Sequence, residues 1–405
     1  MSKQIDLKGL IPSGEELRIL LNSHHISDGD INSTLKEKGV FCGNSDKIIS
    51  VPLLTAMLLT SDEYAKIIDN SISRSSKPKN KISSLELVGA DVDLNEPLKN
   101  LFSSKFNPFE DIPNIEVTKR PNPIFDKNNI VRIKYEIKRK DFSKDFLKRE
   151  ISFEGEVLVQ KKGIDLKIEF LSTHTSKETE TINQRISTAI AKELKNSGVV
   201  QSDIESKIIF SAFEEIERVR FFKRLTVGQG AFLTLDNVNE MVISREASTI
   251  PLPDDPQVSW MNQTVRHMTI DGDRLHSIFL ISDEKYYQYY FIDNMILTYK
   301  YEFGTNTGQV KVAFFFSSSS RKKDFDRNSE LTFEIIGIKN ETNTTATVKK
   351  NLESDILEKV RILIKSEYEK IIKERNQESK VLESNEKSSK KKQKQPDLFV
   401  ESKND

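Results

Sequence analysis

Asp165, Leu166 and Lys167, downstream of Glu154 and Glu156, are the residues whose types and spacing come nearest to catalytic chemistry. Two or three carboxylates around one divalent metal, with a lysine beside them, would make the hydrolytic centre of a metal-dependent nuclease. The same residues also fit a plainer role. Asp165, Lys167 and Glu169 fall two apart, the polar side of an alternating strand, and no Pro-Asp element precedes them at a suitable place. His267 and His276 flank Asp271-Gly272-Asp273, which reads as a polar hairpin turn and not as a helical metal pair. His24 and His25 are adjacent and cannot share one helix face. Gly228 and Gly230 lack the rest of a phosphate-loop pattern. Cys42 is the sole cysteine, which excludes an intramolecular disulfide and a cysteine-rich zinc site; it reads as a small, partly buried residue. Trp260 reads as core or rim. No catalytic residue, metal or cofactor is assigned from these groups.

Cations offer a second chemistry, the neutralisation of phosphate. The stretch from Thr118 to Lys148 holds Lys119, Arg120, Lys127, Arg132, Lys134, Lys138, Arg139, Lys140, Lys144 and Lys148. Its acids are only Asp126, Glu136, Asp141 and Asp145. On a strand beginning at Ile130, residues Arg132, Lys134, Glu136 and Lys138 share one face, which is expected to be basic and open. A second stretch, Arg218-Val219-Arg220-Phe221-Phe222-Lys223-Arg224, ends a helix. Cations there complement the helix macrodipole, and basic residues mixed with aromatics also suit nucleic acid. Phe222 continues the apolar stripe and is assigned to the core, with Phe221 left open. Lys322 and Lys323, after the serine run 317–320, form a further candidate loop.

The C-terminal stretch contains Gln395-Pro396-Asp397-Leu398-Phe399. This resembles the pentapeptide by which many bacterial replication and repair proteins bind the sliding clamp: Gln, a variable residue, Ser or Asp, Leu, Phe. Leu398 and Phe399 can fill a pocket, while Gln395 supplies amide donors and an acceptor and Asp397 occupies the third position. Lys387, Lys390, Lys391, Lys392 and Lys394 precede it and can follow nearby phosphates or keep the segment extended. Docking on the protein's own body or on another subunit are the alternatives.

The elements that must position these residues follow from periodicity. Near the start, Leu17, Leu20 and Leu21, then Ile31 and Leu35, then Leu54, Met57 and Leu58 recur at one-face helical spacings. A first helix opens after Ser13 with Glu16 three residues on. A second restarts at Ser27-Asp28-Gly29-Asp30 and stops at Gly39, and a third is expected to start at Val51-Pro52. Residues 73–80 read as a basic linker, and residues 81–128, broken by prolines, as an irregular wrapping segment anchored by Leu98, Leu101, Phe102, Phe106 and Phe109. Strands are then expected at Ile130–Tyr135 and beyond, at 151–160 and at 164–171, with Lys162-Gly163 as a tight turn. After a polar loop at 173–181 come helices at 182–195 and at about 202–225. Strand, strand, strand, polar loop, helix recurs over 296–302, 310–316, 331–339 and a final helix carrying Leu352, Ile356, Val360, Leu363 and Ile364. The fold class is therefore α+β: a helical N-terminal module, then an antiparallel-sheet-plus-helix body, then a disordered C-terminal tail; the repeated βββα order reads either as two similar units or as a coincidence of an order common among such folds. The expected domains are 1–72, the linking segment 73–128, α+β units at 129–225 and 226–375, and the tail 376–405.

The first of these, helix–turn–helix, Lys-Gly-Val, loop, Asp-Lys, helix, resembles SAP-like helical nucleic-acid modules. Such a resemblance implies that Lys36, Lys38 and Lys47 face phosphate; a protein-docking domain whose lysines are merely solvated is the alternative. More narrowly, the run LRILL, the turn Leu35-Lys36-Glu37-Lys38-Gly39-Val40-Phe41, Asp46-Lys47 and Pro52-Leu53-Leu54 are similar to the N-terminal domain of the second (B) subunit of GAPS-type two-gene anti-phage defence systems. The resemblance covers roughly residues 1–75. It implies an accessory or recognition subunit whose partner carries the nuclease chemistry.

Charge is balanced, 62 basic against 62 acidic residues, so any contact with nucleic acid has to come from local patches. No apolar run reaches transmembrane length and Met1-Ser2-Lys3 opens no signal peptide, so a cytoplasmic protein is expected and the sequons at Asn340 and Asn343 carry no meaning. The reading is a non-catalytic DNA-binding subunit of a hetero-oligomeric anti-phage complex, with DNA, a nuclease subunit and the sliding clamp as partners. Alternatives are a metal-dependent nuclease and a protein-interaction scaffold.

Overall fold

The structure, a computed structural model, describes residues 14–392 apart from 23–25, 45, 76, 90–91, 104–105, 127–129, 141–149, 163–165, 246–253, 256–266, 274, 276–281, 317–325 and 342–344. Contacts divide the chain into two compact units, Met1–Ser206 and Lys207–Asp405.

The first unit opens with helices α1 (Glu15–Asn22), α2 (Asp28–Glu37), α3 (Lys47–Thr55) and α4 (Ser61–Ser75). Ser27 and Asp30 form a reciprocal capping box on α2, which satisfies backbone donors that the first turn leaves unpaired. Gly39 ends that helix at φ +79°, where a side chain would be strained. Its N–H bonds Lys36 O, and the Val40 N–H bonds Leu35 O. Leu17, Leu21, Ile31, Leu35, Val51, Leu54, Tyr64 and Ile67 close a small core of their own. The third helix departs from expectation. Asp46 caps it by accepting from the Ile48 N–H, so Pro52 lies inside α3 and not at its first turn. The helix ends at Thr55, which leaves Leu58 beyond it, 93% exposed.

Residues 73–128 are more ordered than their composition suggests. Helix α4 continues to Ser75, and strand β1 (Lys79–Glu86), helix α5 (Asn95–Ser103) and strand β2 (Ile115–Asp126) follow. The prolines mislead because β2 is an edge strand of its unit, where a missing N–H costs no ladder bond, and its register slips twice between Val117 and Asn122. Strands β3 (Ile130–Lys140), β4 (Glu150–Lys162) and β5 (Lys167–His174) complete an antiparallel order β2-β3-β4-β5-β1. Helix α6 (Lys177–Asn196) starts inside the stretch expected as a loop, because Ser176 and Thr179 cap it reciprocally. It lays Ile182, Ile186, Ile190 and Leu194 on Ile133, Tyr135, Val157 and Phe170. Leu98 and Leu101 are buried in the same core, with Phe102, Phe106 and Phe109 packed against it, so the apolar residues expected as anchors do anchor the segment.

After the two-residue strand β6 (Ser206–Lys207), the second unit has helix α7 (Glu215–Leu225). The single helix expected over 202–225 is instead this strand, a short 3₁₀ turn at Phe210–Ala212 and α7; Phe213 is buried while Ile216 is exposed. Strands β7 (Leu233–Ser244), β8 (His267–Asp271), β9 (Phe291–Phe303), β10 (Asn306–Phe316) and β11 (Leu331–Asn340) form the antiparallel order β11-β10-β9-β7-β8. Helix α8 (Ala346–Lys392) closes the unit and buries Leu352, Ile356, Val360, Leu363 and Ile364. Its backbone continues past Arg375, where core residues run out, through a Glu-, Lys- and Ser-rich stretch whose Glu and Lys residues are good helix formers. In both units a run of antiparallel strands leads into a covering helix, the recurrence read from periodicity. No helix among the described residues is long and apolar enough to cross a membrane.

Candidate nucleic-acid interface

Among the described residues, the basic side chains singled out from the sequence acquire definite settings. In the helical module Lys36 is exposed on α2. Lys38 is not: its ammonium donates to Leu58 O at 2.7 Å and pairs with Glu63 at 2.8 Å, tying the end of α2 to the segment after α3. That hydrogen bond from Lys38 holds the Glu63 carboxyl below its ordinary range. Lys47 donates to Ile26 O at 2.6 Å and so fastens α3 to the turn before α2. Both lysines therefore bond within the module. Residues 15–77 also carry nine carboxylates against seven Lys and Arg residues, the wrong sign for attracting a polyanion. The module also exposes apolar side chains. Ile48, Ile49, Pro52 and Leu53 share one face of α3, Ile48 at 80% exposure, with Phe41 and Leu58 exposed in the flanking turns. The spacing 48, 49, 52, 53 shows this face once the helix is started at Asp46 and not at Val51.

On the sheet of the first unit, Val131, Ile133, Tyr135 and Ile137 point into the core, so Arg132, Lys134, Glu136 and Lys138 do share the other face. Its charge is largely answered locally. Glu156 on β4 pairs with Arg132 at 3.4 Å and with Lys134 at 3.1 Å. Lys119 on β2 stands opposite Glu136, and Lys119 and Arg120 are exposed. Lys138 stands opposite Glu116 on one side and Ser152 on the other. Arg139 lies on the core side, paired with Glu178 of α6 at 3.3 Å and 4.8 Å above the Phe153 ring. The Lys140 side chain is outside the described residues.

The cluster at the end of α7 is structural in its contacts. Phe221 and Phe222 are both fully buried, which settles the open assignment of Phe221. Arg224 grips both oxygens of Glu374 on α8 at 2.7 Å. Arg220 lies 3.6 Å from Glu284 and 3.8 Å from Glu374, and the Lys223 ammonium sits 5.7 Å from the Tyr287 ring centroid. Arg218 donates to the carbonyls of Phe210 and Phe213.

The described members of the carboxylate candidate set have separate settings. Glu154 is exposed, Glu156 is engaged with two cations, and Lys167 pairs across the ladder with Glu86 and Lys162. Asp165 lies outside the described residues, as do His24, His25, Trp260, His276, Lys322 and Lys323 and the side chain of His267. Among the described residues no group of three His, Cys, Asp or Glu is placed to hold a metal ion. Gly228, at φ +74°, belongs to the turn before β7, where the Gln229 N–H reaches Leu233 O at 2.7 Å. Asp273 accepts from Asn237 at 2.8 Å. Gln395, Asp397, Leu398 and Phe399 fall outside the described residues.

No curated protein matches the chain. Residues 15–77 match one family model, the GAPS4b protein N-terminal domain, which spans the four helices and the exposed face of α3.

Proposed function

Because the chain carries the N-terminal domain of a GAPS4b-type protein, the B subunit of an anti-phage system, we propose that it is the non-catalytic recognition subunit of a two-component complex acting with a nuclease partner. The N-terminal domain docks the partner subunit, exposed cations of the body contact DNA, and the peptide Gln395–Phe399 recruits the complex to the sliding clamp. The observation that carries this reading is the apolar face of α3. Large aliphatic side chains standing open at helical spacing are the anchors of a protein interface. Two of the three lysines that would make the same module a phosphate binder, Lys38 and Lys47, are engaged inside it. Lys119, Arg120 and Lys36, exposed at the surface, support the DNA contact.

Co-expression with the neighbouring subunit tests the docking step. Ile48→Glu/Leu53→Glu is expected to lose the partner in an affinity pull-down while keeping its helical circular dichroism; Lys36→Glu is expected to keep it. Recovery of the partner with the double variant would show that α3 is not the docking face. Leu398→Ala/Phe399→Ala is expected to lose the clamp alone.

A further inference from the structure

Helix α6 carries a groove that none of these assignments uses. Thr181, Gln184, Arg185, Thr188, Ala189 and Lys192 line a cavity of about 400 Å³. They recur three and four apart, so they form one face of the helix, and Thr181, Gln184, Thr188 and Lys192 are exposed along it. A site this open does not enclose a small molecule, which normally has most of its surface covered; it suits a chain that lies along the helix.

The two charged side chains of the lining, Arg185 and Lys192, are both cationic. The Thr181 hydroxyl donates to Lys177 O at 3.0 Å; the rest of the lining offers a guanidinium, an ammonium, the Thr188 hydroxyl and an amide, and no carboxylate. Those are the side chains that meet phosphate oxygens in nucleic-acid complexes. The groove is also held rigid. Arg185 Nη1 donates to Pro108 O at 3.2 Å and to Glu110 O, which fixes the guanidinium. Phe109, between those carbonyls, packs edge-on against Tyr135 at 5.9 Å. The Tyr135 hydroxyl lies 2.8 Å from both Thr179 O and Asn183 Oδ1 of α6, so it pins the helix to the sheet beneath. From Arg185 to Lys192 is about 10 Å along the axis at ~1.5 Å per residue, close to three steps of one nucleic-acid strand at ~3.4 Å each.

We propose that this groove binds the phosphodiester backbone of DNA, with Arg185 and Lys192 contacting phosphates and Gln184 and Thr188 donating to phosphate oxygens. The inference rests on the DNA-contact reading above and gives it a surface. Contacts of this kind position a strand without reading its bases, so binding is independent of sequence.

The test is fluorescence anisotropy of a short fluorescein-labelled DNA duplex over a salt series, with the full-length chain. Wild type is expected to show an affinity that falls steeply with salt. Lys192→Ala is expected to weaken binding and to lower the slope of log affinity against log salt by about one; Thr188→Glu is expected to weaken it at every salt concentration. Both variants sit on exposed positions and should keep the wild-type thermal midpoint. If neither changes affinity while Lys119→Ala/Arg120→Ala does, the groove assignment is overturned and the DNA reading stands. If wild type shows no salt-dependent binding, both fall.

Discussion

Helices α6 and α7 each present arginine and lysine, and the two end in opposite electrostatic situations. On α7 the guanidiniums of Arg220 and Arg224 meet carboxylates, one of them 150 positions away in the chain. On α6 Arg185 rests on two backbone carbonyls and Lys192 is exposed beside hydroxyls and an amide. A run of cations followed by aromatics marks α7 in the sequence, yet its charge is answered and its aromatics are core. The cations of α6 are sparse; Lys195 is paired with Asp203 at 2.7 Å, while Arg185 and Lys192 line the groove. Availability of charge depends on the counter-ion, which primary structure does not display.

The sharpest way to break this contrast is through the α7 aromatics. Phe222 is fully buried, so Phe222→Ala should lower the unfolding free energy by about 3–5 kcal/mol, read from the urea midpoint. Unchanged stability with weakened nucleic-acid binding would return that stretch to the interface.

The foot of α6 supplies a second test. Burial pushes the His174 imidazole down to about 4; Glu180 opposes the shift, and Lys81 and Lys79 add to it. The unfolded chain takes up this proton near 6.5, well before the folded one does. Stability is therefore full above that pH and is lost as the pH falls toward 4, by about 3 kcal/mol at most. Urea midpoints measured across this window should fall in wild type and level off in His174→Phe. Parallel slopes in the two proteins would assign the pH dependence elsewhere.

The smallest effects separate the two helices directly. Glu374→Ala should cost about 1–2 kcal/mol, since it strips the counter-ion from Arg224 and one of the two from Arg220, with allowance for the 40% exposure of that carboxylate. Lys192→Ala should change stability by less than about 0.5 kcal/mol. Equal effects in thermal or urea unfolding would erase the distinction between structural and available charge.

Much of the fold was legible beforehand because it is local. The alternation over Ile130–Tyr135, the stripe from Leu352 to Ile364, the Ser27 cap and the Gly39 stop each lie within a few consecutive residues, and the structure has them all. Less of the candidate site was legible. Lys36, Lys38 and Lys47 look alike in the sequence, but only Lys36 stays on the surface, because Leu58 O, Glu63 and Ile26 O happen to lie within reach of the other two. Strand β1 escaped notice for a related reason: Ile82 and Leu85 give no alternation, and pairing with β5 makes the strand.

By itself, then, the sequence determined the helical start, the repeated strands-then-helix order and the stripes that fill both cores, since these follow from backbone periodicity and the burial of apolar side chains. The tertiary structure alone decided which cations are neutralised, that the prolines of β2 sit harmlessly on an edge, that α3 turns Ile48, Ile49 and Leu53 outward, and that α6 offers a groove of donors. Those outcomes depend on contacts between residues far apart in the chain, and such contacts exist only once the chain has folded.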